Sequence, residues 1–256
     1  MTVRWWALGI LVLMGCRAEP EVLRGQVVDI WGNPVPEATV VMEGHDTRPT
    51  TDAQGGFTLP LEPGEHRIRA GLEGYIQEHV QVEVVPGEPA PTVTLRLYPE
   101  PEENGFYLVG SASYLRLEPQ RVHHVGNELK SITGVRAVDT RTEAGPFRVV
   151  FHTDRRMDEI VRLDLDLHTL EYTRRAELPG PLGSDEVRVN LWTSTGTLPF
   201  DITPMRSAND YLLTTEEALE PGWYAFTTQG LLEPEDGVGI AHVPEELQVA
   251  FAFELR

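Results

Sequence analysis

Three side chains in the second half of the chain have the types and the spacing of a metal site. Asp164, Asp166 and His168 alternate with three leucines. In a strand all three polar groups would lie on one face, where they could ligate a divalent cation. The same alternation is that of an ordinary amphipathic strand, and no HExxH pair, cysteine cluster or EF-hand loop accompanies it in the sequence. We therefore expect no metal site here, and keep a metal-dependent hydrolase with a site in the second domain as an alternative.

Motifs for covalent catalysis are absent from the sequence. It contains no Gly-x-Ser-x-Gly or Ser-x-x-Lys motif and no Walker-type or dinucleotide-type glycine loop. His123 and His124 are adjacent, and adjacent residues of a strand point to opposite faces, so we expect them in a surface loop rather than on one metal ion. The sequence therefore predicts a protein that is not an enzyme and has no catalytic residues, cofactor or metal.

Aromatic side chains beside polar ones are the candidates for binding a partner. In the predicted strand 186–192, valine and leucine alternate with Arg188, Asn190 and Trp192. If the apolar residues face the core, these three share the outer face, where an aromatic ring and hydrogen-bonding groups can hold a sugar or a protein. The alternative is a strand that is bulged or covered on both sides, with Trp192 serving as packing. Trp31, next to Gly32, is a second candidate for an exposed aromatic contact.

The only cysteine, Cys16, ends a short apolar segment at the start of the chain. Arg4 precedes this segment, which runs from Trp5 to Met14, and the small residue Gly15 stands before the cysteine. These are the parts of a secretory signal. The segment is about half as long as the roughly 20 apolar residues of a membrane-spanning helix. We therefore expect residues 1–15 to be a cleaved signal peptide.

The sequence Leu13-Met14-Gly15-Cys16 resembles the lipobox of bacterial lipoproteins. The resemblance implies that the thiol of Cys16 carries a diacylglyceryl group and that its freed amine is acylated, so that several acyl chains such as palmitate anchor the protein durably. Residues 16–21 are then the lipidated cysteine and a tether. We expect the protein in the bacterial cell envelope, with the membrane as a partner through Cys16. Arg17, in place of an aspartate that favours inner-membrane retention, favours the outer membrane.

The net charge excludes some partners. The formal charge is −19 at pH 7, and removal of residues 1–15 takes away one basic residue and no acidic one, which leaves 20 Lys and Arg against 40 Asp and Glu. Such a surface repels nucleic acid and anionic headgroups. With Cys16 acylated no thiol is left for a disulfide, so stability must come from packed apolar cores, which the 41% of hydrophobic residues allow.

The distribution of strand-forming runs predicts an all-β fold of two tandem β-sandwiches. Runs rich in Val, Thr, Ile and Leu recur about every ten residues between Gly, Pro, Asn and Asp. Residues 99–104, with two prolines and three glutamates, are the predicted linker between domains at 22–98 and 105–256. The predicted strands are 22–29, 39–43, 56–59, 65–72, 76–84 and 92–98, then 106–111, 147–153, 159–167, 186–192, 223–228 and 248–255, with one helical turn at 214–218.

Four groups of residues in the first domain resemble the carboxypeptidase regulatory-like family: Gly25–Asp29, Gly32–Val40, Thr51–Phe57 and Gly74–Tyr75. The resemblance implies a transthyretin-like β-sandwich over residues 22–98. It also implies a scaffold or adhesion-like role without catalytic residues. The family commonly has glycine where Glu37 stands.

These expectations combine into one functional prediction. The chain is expected to be a non-enzymatic, lipid-anchored cell-envelope protein that acts as a binding or scaffold module for a protein or glycan partner. The hydrolase named above is one alternative. A purely structural spacer that holds another component away from the membrane is the other.

Overall fold

The structure, a computed structural model, describes residues 21–89, 91–126, 130–180, 183–228, 230–232 and 248–256. The predicted signal peptide, Cys16 and residues 17–20 lie outside the described residues. Within them the regular secondary structure is almost entirely β-strand, which confirms the predicted all-β class. None of the described helices is long and apolar enough to span a membrane.

The strands and the helix have the following bounds: β1 (Glu21–Asp29), β2 (Thr39–Met42), β3 (Gly56–Leu61), β4 (Gly64–Gly71), β5 (Tyr75–Ile76), β6 (Glu78–Val84), β7 (Val93–Pro99), β8 (Gly105–Val109), β9 (Tyr114–Leu117), β10 (Gln120–Arg121), β11 (His123–Gly126), β12 (Ser131–Gly134), β13 (Thr140–Thr142), β14 (Arg148–His152), α1 (Met157–Arg162), β15 (Leu165–Gly180), β16 (Gly183–Leu198), β17 (Asp201–Pro204), β18 (Asp210–Thr214), β19 (Gly222–Thr228) and β20 (Val249–Leu255).

The chain divides into two compact units, and the division is not a single point in the sequence. The first unit comprises Pro34–Ala70, His79–Leu95 and the described part of Met1–Val27; the second comprises Val28–Asn33, Gly71–Glu78 and Arg96–Arg256. The predicted linker lies in the second unit, and its first residues are paired: Pro99 lies opposite Tyr75 in the sheet, and the Glu100 amide donates to the Gly74 carbonyl at 2.9 Å. The predicted boundary itself stays a prediction.

Strands β1 to β7 form two sheets, in the orders β3-β1-β7-β5 and β2-β4-β6, and the pairs β1–β3 and β5–β7 are antiparallel. Alternate residues of these strands are buried, as the period of a pleated strand requires. Gly25 lies opposite Phe57, and a Cβ at Gly25 would come within 2.2 Å of the Phe57 ring. The Phe57 ring therefore requires glycine at position 25, because any side chain there would occupy the space of the ring.

Side-chain caps form the turns that the motifs predict. Oδ1 of Asp52 accepts the amides of Gln54 at 2.9 Å and Gly56 at 2.7 Å. The carboxylate of Asp29 does the same for the amides of Trp31 and Asn33, at 2.9 and 2.8 Å. Glu37 has a φ of 62°, in the left-handed region that glycine adopts at lower cost.

The second unit is a sandwich of two larger sheets. One has the order β17-β18-β14-β8-β9, and the other has the order β10-β20-β19-β15-β16, with β13 paired to β20. Stacked phenylalanines join the layers: the Phe106 ring is 4.3 Å from Phe151 in its own sheet and 5.1 Å from Phe226 in the other. Around them lies a continuous apolar core that includes Leu117, Leu213 and Phe253.

The strands β15 and β16 form a hairpin and are the longest elements of the part of the chain that the structure describes. Each strand has 16 residues. Strand β19 pairs with β15 from Leu165 to Leu170. Among the described residues the remainder of the hairpin continues as a two-stranded ribbon, except that Trp192 of β16 is bridged to Val135. The ribbon carries the predicted binding residues Arg188, Asn190 and Trp192.

Four local predictions in the second unit are wrong. Residues 157–162 form α1 where the sequence predicted a strand over 159–167; Asp158 and Glu159 occupy its first turn and favour a helix N-terminus. Thr214 ends β18, and 215–218 is a bend in place of the predicted helical turn. His123 and His124 lie in β11, paired with β12, instead of in a loop. The short strands β9, β10, β12, β13, β17 and β18 were not predicted either.

Candidate binding surface

One face of the β16-β15-β19-β20 sheet brings aromatic and charged residues into a row. Tyr172 lies directly opposite Trp192, and Trp223 lies opposite both Leu170 and Glu254 on its two sides. Paired residues of neighbouring strands point to the same face of a sheet. The four strands therefore place the three aromatic rings beside one another. We call Tyr172, Trp192 and Trp223 the aromatic platform.

The rings of the platform touch and remain accessible. The centroid of Trp192 is 5.3 Å from that of Tyr172 and 4.8 Å from that of Trp223, with the planes tilted by 59° and 34°. Tyr172 is 41% exposed and Trp223 is 38% exposed, while Trp192 is half-buried between them. Single exposed apolar residues are common on protein surfaces, whereas contiguous exposed apolar groups mark interaction sites.

Trp192 is fixed by side-chain packing and by backbone hydrogen bonds. Its side chain packs against a buried cluster on the same face of the sheet. Its backbone amide donates to the Val135 carbonyl at 2.8 Å, and its carbonyl accepts from the Val135 amide at 3.0 Å. The platform is thus set on a rigid base, which reduces the entropy lost when a partner binds. The cluster consists of Val122, Val135, Val138, Leu170, Ala225, Leu231, Leu232, Ala250 and Ala252.

Charged groups continue the row beyond Trp223. The carboxylate of Glu254 forms ion pairs with two arginines. Its Oε2 is 3.0 Å from Nε of Arg141, and its Oε1 is 2.9 Å from Nε of Arg256. The hydrogen bond from Arg256, together with the positive charges of Arg256 and Arg141, lowers the pKa of Glu254. Both arginine side chains are more than half exposed, and each guanidinium has further N–H donors besides the one that faces Glu254.

The predicted strand face containing Arg188, Asn190 and Trp192 is interrupted by a β-bulge. Thr173 pairs with Leu191, and Arg175 pairs with Arg188, so β16 has one residue more than β15 in this interval. Asn190 has a φ of 52° within it. The extra residue reverses the alternation, and Arg188 therefore lies on the opposite face of the ribbon from Trp192. Arg188 and Asn190 are exposed, but the expected set of three on one face is not formed.

Trp31 lies elsewhere in the second unit and is half-buried. Its indole Nε1 donates to the Gly110 carbonyl at 3.0 Å, and its ring meets Tyr114 edge to face at 5.3 Å. It lines a cavity of about 320 Å³ together with Arg148, whose buried Nε has no hydrogen-bond partner among the described residues. Trp31 thus contributes to packing and to a cavity wall rather than to the platform.

The metal-site alternative does not assemble. Asp164 precedes β15 with a φ of 49°, so it does not continue the face of Asp166 and His168. His168 is fully buried, with Nδ1 3.0 Å from Ser194 Oγ and Nε2 3.0 Å from Thr227 Oγ1. Within the described residues there is no group of three His, Cys, Asp or Glu side chains that could hold a metal ion.

Sequence reasoning missed most of the residues around Trp192. Tyr172, Trp223, Arg141 and Glu254 come from four different strands, and only the sheet register places them together. One usable signal existed: Trp223 alternates with Ala225 and Thr227, whereas Tyr224 alternates with Phe226. That pattern shows two faces of β19 but does not tell which is covered.

Comparison with known proteins identifies one part of the chain. Residues 22–98 match the carboxypeptidase regulatory-like domain family. The match spans the residues whose motifs predicted it, and it confirms that resemblance. The match ends at residue 98, so the platform residues and the ion-paired cluster all lie outside it.

Solved structures similar to the chain come from bacterial proteins and share about a tenth of its residues. A proposed carbohydrate binding protein from Bacteroides uniformis is 10% identical, with 82% of this chain and 88% of that one covered and a TM-score of 0.26. The major pilin subunit BcpA of Bacillus cereus is 10% identical, with 93% and 69% covered and a TM-score of 0.25. A DUF3823 family protein from Parabacteroides merdae is 11% identical, with 93% and 100% covered and a TM-score of 0.23. These TM-scores are too low to carry an inference about function.

Proposed function

We propose that the chain is a non-enzymatic binding module of the bacterial cell envelope, and that it holds a glycan on the aromatic platform. The observation that carries the proposal is the row of contacting, accessible rings contributed by three neighbouring strands. Tyr172 and Trp223 offer flat apolar surfaces to the C–H faces of sugar rings, and Trp192 joins them.

The charged neighbours support a polar, ring-shaped ligand. Arg141 and Arg256 present exposed donors next to Trp223, and Glu254 supplies an acceptor. Hydroxyl groups can use both kinds of partner, because each hydroxyl donates and accepts. A partner with bulk apolar chemistry would leave these charges without hydrogen bonds, at a cost in binding energy.

Binding of envelope glycans tests this proposal. Purified protein is titrated with solubilised envelope polysaccharide while tryptophan fluorescence is followed, for the wild type and for Trp223→Ala and Tyr172→Ala. We expect a saturable change in the wild type that both variants lose. Val161→Ala, at a 69% exposed apolar position on α1, is the matched control and should bind as the wild type does.

Chemical crosslinking in intact cells separates a glycan partner from a protein partner. A protein that crosslinks reproducibly to the wild type and not to Trp223→Ala, without any glycan binding, would replace the glycan with a protein as the occupant of the platform. Unchanged behaviour of both platform variants in both assays would contradict a binding role and leave the spacer function.

We also propose that lipid on Cys16 anchors the protein, with outer-membrane residence favoured by Arg17. The support is the apolar segment that ends in Gly15-Cys16. Growth with an alkyne-labelled fatty acid should label the wild type and leave Cys16→Ser unlabelled, with the variant released from the membrane fraction. Labelling that persists in Cys16→Ser would contradict lipidation at this residue.

A further inference from the structure

A recess lies on the face of β15 and β19 opposite the aromatic platform, at the edge of the second unit's apolar core. It has a volume of about 580 Å³, within the range of small-ligand sites. Thr169 and Tyr224, which pair across β15 and β19, form its inner wall. Their side chains point to the face opposite the aromatic platform, so the recess and the platform are separate surfaces. The other lining residues come from 198–201 and 215–220.

The floor of the recess is apolar and continuous with the core. Leu198, Phe200 and Leu219 are partly buried and pack against the core cluster of the sandwich. The Phe200 ring meets Phe226 edge to face at 5.6 Å. These contacts hold the floor in shape, so that the recess does not need to form when a ligand arrives.

The rim of the recess is acidic. Four exposed carboxylates line it, and no lysine, arginine or histidine belongs to its lining. Tyr224 donates its hydroxyl to the Glu220 carbonyl at 2.7 Å, and burial, with the nearby Glu220 charge, raises the pKa of that hydroxyl. The Tyr224 hydroxyl therefore stays uncharged at neutral pH. The carboxylates belong to Asp201, Glu216, Glu217 and Glu220.

We propose that this recess binds a basic peptide segment, inserting the apolar stem of an arginine or lysine along the floor with its charged end at the rim. Arginine and lysine combine a long methylene stem with a terminal cation, and the recess has the complementary arrangement. The rim carboxylates would repel an anionic ligand. A purely apolar ligand would desolvate them without replacing their hydrogen bonds to water. The proposal does not depend on glycan binding by the platform.

Calorimetric titration of the purified full chain with the probe acetyl-Gly-Arg-Leu-Lys-Leu-Gly-amide tests the proposal. The probe should bind, and its affinity should fall as salt is raised, because charges at an exposed rim are screened over about 8 Å at 0.15 M ionic strength. A probe with glutamine in place of arginine and lysine, and one with serine in place of leucine, should each bind at least about tenfold more weakly, since both halves of the ligand contribute.

Variants separate the recess from the general negative charge of the protein. Glu216→Gln, Glu217→Gln and Glu220→Gln combined should abolish measurable binding. The matched control combines Glu62→Gln, Glu73→Gln and Glu88→Gln, three exposed positions in 22–98 with the same change in net charge. It should bind nearly as the wild type does. Ala218→Phe, at an exposed lining residue, should block the recess while it leaves the core intact.

Equal weakening by the two triple variants would overturn the proposal, because bulk charge would then explain binding. Binding that survives Ala218→Phe, or a wild type that does not bind the probe, would overturn it as well. Thermal unfolding of each variant checks that a loss of binding is not a loss of folding.

Discussion

Trp192 and Trp31 are the same residue type in the same unit, yet their surroundings differ and so do their structural roles. Trp192 stands between two accessible rings in the platform, and its base is a buried cluster. Trp31 has its indole nitrogen bonded to the Gly110 carbonyl and its ring packed on Tyr114. Both were equal candidates when only the neighbouring residues in the sequence were considered. The comparison shows that an aromatic residue is a binding candidate when its neighbours across the sheet are also accessible.

The largest expected effect is on stability at Trp31. Trp31→Ala removes the packing on Tyr114 and the hydrogen bond to Gly110, and should lower the free energy of unfolding by about 2–3 kcal/mol. Urea unfolding measures it. Trp31→Phe keeps part of the packing and should lose only about 1 kcal/mol. If Trp31→Ala instead removed glycan binding at full stability, Trp31 would belong to the binding surface and the comparison would fail.

Trp223→Ala should have the reverse profile. Its side chain is 38% exposed, so the free energy of unfolding should change by less than about 1 kcal/mol. Glycan affinity should fall about 30-fold, which corresponds to the roughly 2 kcal/mol of a residue central to an interface. Parallel titration and urea unfolding measure the two quantities. A large loss of stability with unchanged affinity would make the platform a packing feature like Trp31.

The bulge at Asn190 should be sensitive to side-chain shape. Asn190→Val places a β-branched residue at a φ of 52° and should destabilise the protein by about 1–2 kcal/mol. Asn190→Gly accepts the same angle and should be close to neutral. Thermal unfolding compares the pair. Equal stability of the two variants would show that β16 can run without the bulge, with Arg188 and Trp192 on one face as the sequence predicted.

Glu37 provides the smallest expected effect and lies in the first unit. Glu37→Gly relieves a left-handed residue at a φ of 62° and should raise the free energy of unfolding by about 0.5–1 kcal/mol. Glycan affinity should not change. Glu73→Gly is the control, because Glu73 is exposed and does not have a left-handed φ. This variant should not raise the free energy of unfolding. A destabilised Glu37→Gly would mean that the glutamate side chain itself holds this turn.

Local sequence patterns predicted the strands and turns of residues 22–98 well and those of the second unit in part. Residues 22–98 repeat short alternating strands between glycine and Asx turns, and the caps of Asp29 and Asp52 act over four residues or fewer. The segment 159–167 failed because an acidic first turn and apolar residues suit both a helix and a strand over so short a length. The length of the β15–β16 ribbon was also missed, since its polar residues alternate with little hydrophobic contrast.

The sequence by itself determined the all-β class, the turns of residues 22–98, the acidic surface and the aromatic character of the binding candidates. These properties depend on composition or on residues close together in the chain. Only the tertiary structure decided which aromatic residues meet. Tyr172, Trp192 and Trp223 are separated by up to 51 positions, and their neighbourhood follows from strand register, while a bulge places Arg188 on the other face. A shift of one residue moves a side chain to the opposite face of a sheet, so a linear pattern without the register cannot specify a surface.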